Sequence, residues 1–473
     1  MATWKKESIT ADDGSKVEAM SPIIVSASRS TDIPAFYADW FFYRLMKSGY
    51  SAWTNPFNQK LSYVSYKDTR FIVFWSKNPG NLIDYLPCLK ERNIGFYLQY
   101  SLNDYRKEHL EAGLPSLESR IDTFRRIADL YDANHVIWRF DPLILSDSLT
   151  MDELLERVKF IGDRLKGYTH KLVFSFADIL SYRRVQSNLD KFGFRYRDWT
   201  VEEMLEFGKS LAELNRSWNF ELVTCGEEVD LSGFGVKKNR CVDDRLMAKI
   251  AHDDRTLMDF LKVRIVDRNP SGAGSRIGRV DSDRRRHENL HFGGQGSLDF
   301  GGQGSLDFGG QGSLDFGGQG SLDFGGKESL DFMAQENSDF GGNSVAGYGA
   351  QGSLFETDDG VQGDLFAVSD GAGGVSDASS VLSVTQSGSA ALRDDVIDLG
   401  NGKIAIFDHD NRDKGQRKFC GCIVSKDIGE YNTCIHQCRY CYANDSIETA
   451  KRNFQRHRTN PYGQTITGNG NQA

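Results

Sequence analysis

The sequence of 473 residues predicts an α/β protein of the (β/α)8 type, TIM-barrel-like, interrupted by a long glycine-rich insertion. Three observations predict it. Short runs of β-branched and aromatic residues alternate with longer amphipathic segments, the pattern of parallel strands joined by crossover helices. An eight-residue unit, GGQGSLDF, then repeats in tandem from Gly293 and breaks that pattern off. A cysteine-rich C-terminal segment resumes it with strand, loop and helix signals, the kind of unit that seven strands lack to make a barrel of eight.

Residues 1–20 read as an N-terminal extension, and residues 21–268 as the barrel-like domain. Strands are expected at Ile23–Ser26, Tyr50–Thr54, Phe71–Trp75, Gly95–Tyr100, His135–Phe140, Lys171–Phe176 and Phe220–Cys225. Helices are expected at Phe36–Lys47, Leu117–Tyr131, Met151–Leu165 and Val201–Arg216. Residues 269–392 are too rich in glycine and too poor in apolar side chains to offset their ordering entropy, so disorder is expected there. An eight-residue period is also too short for helical repeat folds, whose units span roughly 20–50 residues. Residues 393–473 are expected to complete the barrel, with a short strand in KDIGEYNT and a helix in DSIETAKRNFQRH.

The formal net charge is −9, and the only dense basic run is Arg284–Arg286, which argues against a strongly basic nucleic-acid surface. The opening MATWKKESITADDGSK has no apolar stretch of the secretory kind, and no apolar run is long enough to span a bilayer. A soluble, cytoplasmic protein is expected. In that reducing compartment clustered cysteines favour metal ligation or catalysis over disulfides.

Cys434, Cys438 and Cys441 have the spacing C-x3-C-x2-C. Three thiolates on one loop suit three irons of a [4Fe–4S] cube and leave the fourth open to chelate S-adenosylmethionine, with Tyr440 as an aromatic face beside it. The plainer alternative is a zinc site, although closed zinc sites usually take four ligands. Cys225, Cys241, Cys420 and Cys422 are candidates for a second, closed site holding another iron–sulfur cluster or zinc. Alternatively, Cys225 and Cys241 are small buried hydrophobes, the role expected for Cys88.

In a parallel barrel the working groups gather at the C-terminal ends of the strands. Those ends carry Ser28, Arg29, Thr31 and Asp32, then Asn55, Lys77, Asn78 and Gln99, then Arg139, Asp141, Asp178, Glu227 and Glu228. Thr31, Asp32 and Asp178 also suit helix capping. Arg29, Lys77 and Arg139 do not, because a cation opposes the helix N-terminal dipole. They suit an anionic substrate or the S-adenosylmethionine carboxylate, with Asp32 and Asp141 beside them as catalytic candidates. Glu227 or Glu228 is a candidate for the methionyl amine.

The insertion also carries six Gln-x-x-Leu-(Asp)-Phe units, beginning at Gln295, Gln303, Gln311, Gln319, Gln351 and Gln362. They are similar to the short peptides by which bacterial proteins dock on the DNA polymerase sliding clamp, where Leu and an aromatic fill an apolar pocket. A neutral linker produced by repeat slippage is the alternative.

CIHQCRYC resembles the cysteine loop of radical S-adenosylmethionine enzymes. IIVSASRSTDIPAFY, NPFN, FIVFWSKNP, VIWRFDPLIL, TCGEEVDLSGFG and CGCIVSKDIGEYNTCIHQCRYCYAN resemble a bacterial family, domain of unknown function 1848. The resemblance implies a circularly permuted radical-enzyme barrel, since the cysteine loop follows the last strand and not the first. It implies a radical S-adenosylmethionine iron–sulfur enzyme of unknown substrate, fed by an electron donor such as flavodoxin or ferredoxin. The rival reading is a non-catalytic, metal-stabilised adaptor that binds a protein partner through its repeats.

Overall fold

The computed structural model describes residues 4–54, 60–268, 306–307, 313–314, 395–400, 402–408, 411–413, 415–416 and 419–467. Asn55 and nearly all of the repeat segment lie outside the described residues. The chain divides into one unit of residues 1–274 and 386–473 and another of residues 275–385.

An eight-stranded sheet forms the centre of the larger unit. Its strands are β1 (Ile24–Ala27), β2 (Phe71–Ser76), β3 (Gly95–Ser101), β4 (Val136–Leu143), β5 (Lys171–Phe176), β6 (Glu221–Thr224), β7 (Lys237–Lys238) and β8 (Lys426–Asp427). The order is β7-β6-β5-β4-β3-β2-β1-β8 and every neighbouring pair is parallel. Near-continuous apolar runs such as FIVFW suit strands covered on both faces.

The expected strand Tyr50–Thr54 forms but belongs elsewhere. It closes a four-stranded sheet with Lys5–Thr10, Lys16–Ser21 and Leu61–Ser65. β7 and β8 therefore bring the main sheet to eight. Among the described residues β7 and β8 do not pair with each other; the segments beside them are joined by Ile423 N–H donating to Val242 O at 3.0 Å. The architecture is a parallel α/β sheet, which does not amount to the radical-enzyme barrel expected from the sequence.

Helices α1 (Leu117–Leu130), α2 (Met151–Leu165), α3 (Val201–Asn215) and α4 (Ile447–Thr459) start where side chains cap them. Ser116, Thr150, Thr200 and Ser446 each accept from a backbone N–H three residues on, and Thr200 with Glu203 forms a reciprocal capping box. In α1 the buried Leu117, Ile121, Phe124 and Ala128 recur at helical spacing and face the core. The expected helix Phe36–Lys47 is broken into Ile33–Phe36, Ala38–Tyr43 and a wider turn at Arg44–Ser48. Tyr37, at φ −138°, is the joint.

Alternation along the strands sorts two apolar clusters. Ile72, Phe74, Leu98, Trp138, Leu172 and Phe174 pack with the helices. Val73, Tyr97, Ile137, Val173 and Val223 point to the other face and pack with Cys241, Val242, Cys422 and Ile423.

The repeat segment leaves and rejoins the larger unit at one three-stranded sheet. Val263–Asp267 pairs with Lys403–Phe407, which pairs with Val396–Gly400. In the smaller unit Leu306–Asp307 pairs antiparallel with Ser313–Leu314, setting Leu306 opposite Leu314, its equivalent one repeat later.

Candidate functional site

The period of two that places Val73, Tyr97, Ile137, Val173 and Val223 on one face also places Trp75, Gln99, Arg139, Ser175 and Cys225 there, two residues further on. Polar groups therefore gather at the C-terminal ends of the strands. Arg139 Nη1 donates to Gln99 Oε1 at 3.1 Å and to Cys241 Sγ at 3.2 Å, and its Nε donates to Asp141 at 3.1 Å. Asp141 also accepts from Ser175 Oγ, and its backbone N–H donates to Asn103 Oδ1 at 3.0 Å. Arg29 and Arg139 both lie over Trp75, at 5.2 and 5.3 Å from the ring centre.

Asn103 links this group to a second one. Its amide donates to Tyr440 Oη at 3.1 Å. Lys77 Nζ donates to Glu111 Oε1 at 2.8 Å and to Tyr440 Oη at 3.0 Å, while Tyr440 Oη donates to Glu111. Burial opposes charge on Glu111, but Lys77 and Arg120 outweigh it and hold its pKa below the usual value. Asp32 caps Ala35 N–H, as its position suggests, and also accepts from Lys77 N–H at 2.7 Å and lies 2.7 Å from His436 Nε2.

Arg29, Asp32, Lys77, Arg139 and Asp141 thus belong to one connected network. Glu227 joins its edge by accepting Phe176 N–H at 3.0 Å, and burial raises its pKa to about 7. Glu228 is exposed. Asp178 is exposed as well and caps nothing, because the next helix begins only at Arg183.

The loop holding Cys434, Cys438 and Cys441 is seated on the segment after β3. Arg439 N–H donates to Leu110 O, Gly113 N–H donates to His436 O, and Cys438 forms a bridge with Glu111. A methyl group on Gly113 would sit 2.5 Å from His436 O, so glycine permits the approach. Burial raises the pKa of all three thiols.

This arrangement overturns the cofactor expectation. Among the described residues no group of three or more His, Cys, Asp or Glu side chains is placed to hold a metal ion. Cys434, Cys438 and Cys441 are therefore not a ligand set for a [4Fe–4S] cluster, and the S-adenosylmethionine site built on an open iron loses its basis. With it goes the radical-enzyme reading, and the expectation of a flavodoxin or ferredoxin donor rested on that cofactor. Tyr440 serves as a partner of Glu111 and Lys77 and not as a cofactor face.

The second set, Cys225, Cys241, Cys420 and Cys422, does come together, but as a chain of contacts. Cys225 Sγ lies 3.4 Å from Cys241 Sγ, Cys241 contacts Cys422, and Cys422 contacts Cys420. Among the described residues these four form no group placed to hold a metal ion either, so the second cluster or zinc site is likewise not supported. The hydrogen bond with Cys422 lowers the Cys420 pKa to about 7. Contact with Cys241 and burial push Cys225 well above the ordinary thiol value.

Asn103, Glu111 and Ser175 are site residues that sequence reasoning missed, as are Asn239, which donates to Cys241 Sγ at 3.1 Å, and Asp427, which accepts from Arg29 N–H at 2.9 Å. The strand period from Val173 points to Ser175; Glu111 lies in a loop and carries no such signal, and Asp427 ends a two-residue strand too short to show a period. A recess of about 380 Å³ lined by Phe36, Asp39, Phe454, His457, Arg458 and Pro461 contains none of the expected site residues.

No curated protein matches the chain. A crystal structure from Bacteroides thetaiotaomicron, provisionally assigned as an α-L-fucosidase, aligns with a TM-score of 0.19 at 13% identity. The alignment covers 35% of this chain and 64% of that one, under two thirds of its length, and a likeness of that size carries no argument. A family profile matches residues 24–271 and 389–443, which take in the main sheet and the seated cysteine loop and leave the repeats out. The chain therefore belongs to the family described as domain of unknown function, DUF1848.

Proposed function

We propose that the protein is an adaptor that binds a protein partner through its Gln-x-x-Leu-(Asp)-Phe units, and that the partner is the DNA polymerase sliding clamp. The observation that carries the reading is where the units are attached. The chain that bears them departs after Asp267 and returns at Val396, both held against Lys403–Phe407 in one small sheet. Arg268 strengthens the closure, its backbone N–H donating to Gly402 O at 2.6 Å and its side chain pairing with Asp398 at 2.7 Å. Among the described residues, the strands that flank the repeat-bearing stretch thus lie side by side in this one sheet, which suits a carrier of tandem docking peptides. Several weak sites on one chain raise the effective concentration of each at the partner, so modest contacts add up to useful avidity.

The test is a calorimetric titration of the full-length chain against purified clamp from the same organism. Binding that weakens at least about tenfold when residues 293–366 are deleted supports the reading. Leu365→Ala with Phe366→Ala should abolish binding of an isolated VQGDLFAV peptide, because burial of these two side chains supplies the contact. Absence of binding by the intact chain at high concentration sinks it.

A further inference from the structure

Four thiols from two distant parts of the chain touch in succession: Cys420 meets Cys422, Cys422 meets Cys241, and Cys241 meets Cys225. The two inner ones are buried, 2% and 4% exposed, whereas Cys420 and Cys225 at the ends are half-buried. Polar groups are aimed at the sulfurs. Arg139 Nη1 and Asn239 Nδ2 donate to Cys241 Sγ at 3.2 and 3.1 Å, and the backbone N–H of Cys241 donates to Cys422 Sγ at 3.2 Å. Arg29 stands close enough to Cys422, Cys241 and Cys420 to feel their charge, and its Nη2 is buried without an acceptor. Cysteines that only fill space need no such donors. Donors directed at a sulfur favour its thiolate, the form that attacks a disulfide, and oppose the burial that keeps Cys422, Cys241 and Cys225 as thiols at rest; the half-buried Cys420 at the outer end is the one that meets an external disulfide.

We propose that these cysteines form a thiol–disulfide exchange site that accepts a low-molecular-weight disulfide at Cys420 and stores its oxidising equivalent as a Cys225–Cys241 disulfide. The Cys420 thiolate attacks the external disulfide, forming a mixed disulfide and releasing one thiolate. Cys422 then attacks the Cys420 sulfur and releases the second. Cys241 attacks the Cys422 sulfur, freeing Cys420, and Cys225 attacks the Cys241 sulfur, freeing Cys422. Each step breaks one S–S bond and forms another. In total one external disulfide is reduced to two thiols while Cys225 and Cys241 lose two protons and two electrons. The last pair needs its sulfurs to close from 3.4 Å to the bonded distance of about 2.05 Å.

The experiment uses the full-length, reduced protein and glutathione disulfide as the probe. After exposure, free thiols are alkylated and the unreduced tryptic peptides are mapped by mass spectrometry. A crosslink between the peptides carrying Cys225 and Cys241, with two glutathiones released per chain, is the expected result. Cys420→Ser should slow its appearance by about tenfold or more while leaving the fold intact, since the side chain is half-buried. Cys225→Ser should divert the crosslink to Cys241 and Cys422. Cys88→Ala should change nothing. The proposal is overturned if all four thiols stay alkylatable, if reaction stops at a mixed disulfide, or if a bound metal protects them.

Discussion

Glu430 is 6% exposed, its Oε1 has no partner, and burial raises its pKa to about 7. The unfolded chain gives a glutamate its ordinary value, so between about pH 4.5 and 7 the folded state holds more protons than the unfolded one. Stability from this group is complete below the unfolded pKa and is lost as pH rises through the folded one. We expect the loss to reach about 3 kcal/mol by pH 8. Glu430→Gln, which cannot ionise, should match the parent at pH 4.5 and exceed it at pH 8 in urea unfolding. Equal pH profiles for the two proteins would remove the argument. Glu227, also raised to about 7 by burial, adds to the slope in the same direction.

At the scale of elements, β8 is two residues long, and one of its side chains adds to the backbone pairing that holds it beside β1. Asp427 accepts from Ser26 Oγ at 3.0 Å, Ser28 Oγ at 2.8 Å, Arg29 N–H at 2.9 Å and Gly429 N–H at 3.0 Å. Hydrogen bonds to a charged acceptor contribute about 1.5–3 kcal/mol each, and removing the carboxylate leaves several buried donors unmatched. Asp427→Ala should therefore cost at least about 3 kcal/mol in urea unfolding. It should also speed alkylation of the half-buried Cys434, Cys438 and Cys441, since their loop follows β8 directly. Unchanged alkylation rates would mean that the contacts with Leu110 and Gly113 seat the loop on their own. The strand in KDIGEYNT was legible as a β-prone run ahead of Gly429. Its neighbour was not, because Val25 is some four hundred positions away in sequence and only folding pairs them.

Across the whole molecule, the repeat segment is a connection closed by the three-stranded sheet. Loop closure costs entropy that grows only with the logarithm of length, and deleting residues 293–366 more than halves this connection. The deletion should thus leave the main unfolding transition in place and raise its stability by about 0.8 kcal/mol. Thiol exchange with glutathione disulfide should proceed unchanged, because the four cysteines lie outside the segment. A fall in stability of several kcal/mol would show that the repeats contribute to the folded unit. Loss of clamp binding with retained exchange would separate the two proposals.

Runs such as FIVFW, the Ser and Thr caps and the period of α1 and α2 are local signals, and local energetics fixed those elements much as the sequence implied. Local patterning could not say that Tyr50–Thr54 would leave the main sheet, since a strand's partner is a long-range choice. The cysteines divide in the same way. Cys434, Cys438 and Cys441 share a loop, and proximity in sequence suggested a common ligand. Tertiary packing instead turned that loop onto Glu111 and Gly113 and left its three half-buried thiols with raised pKa values. Cys225, Cys241, Cys420 and Cys422 share no local signal beyond their residue type. They meet because the segment after β7 is hydrogen-bonded to the segment that leads into β8, Ile423 N–H donating to Val242 O, and shared burial of Cys241, Val242, Cys422 and Ile423 rewards the contact.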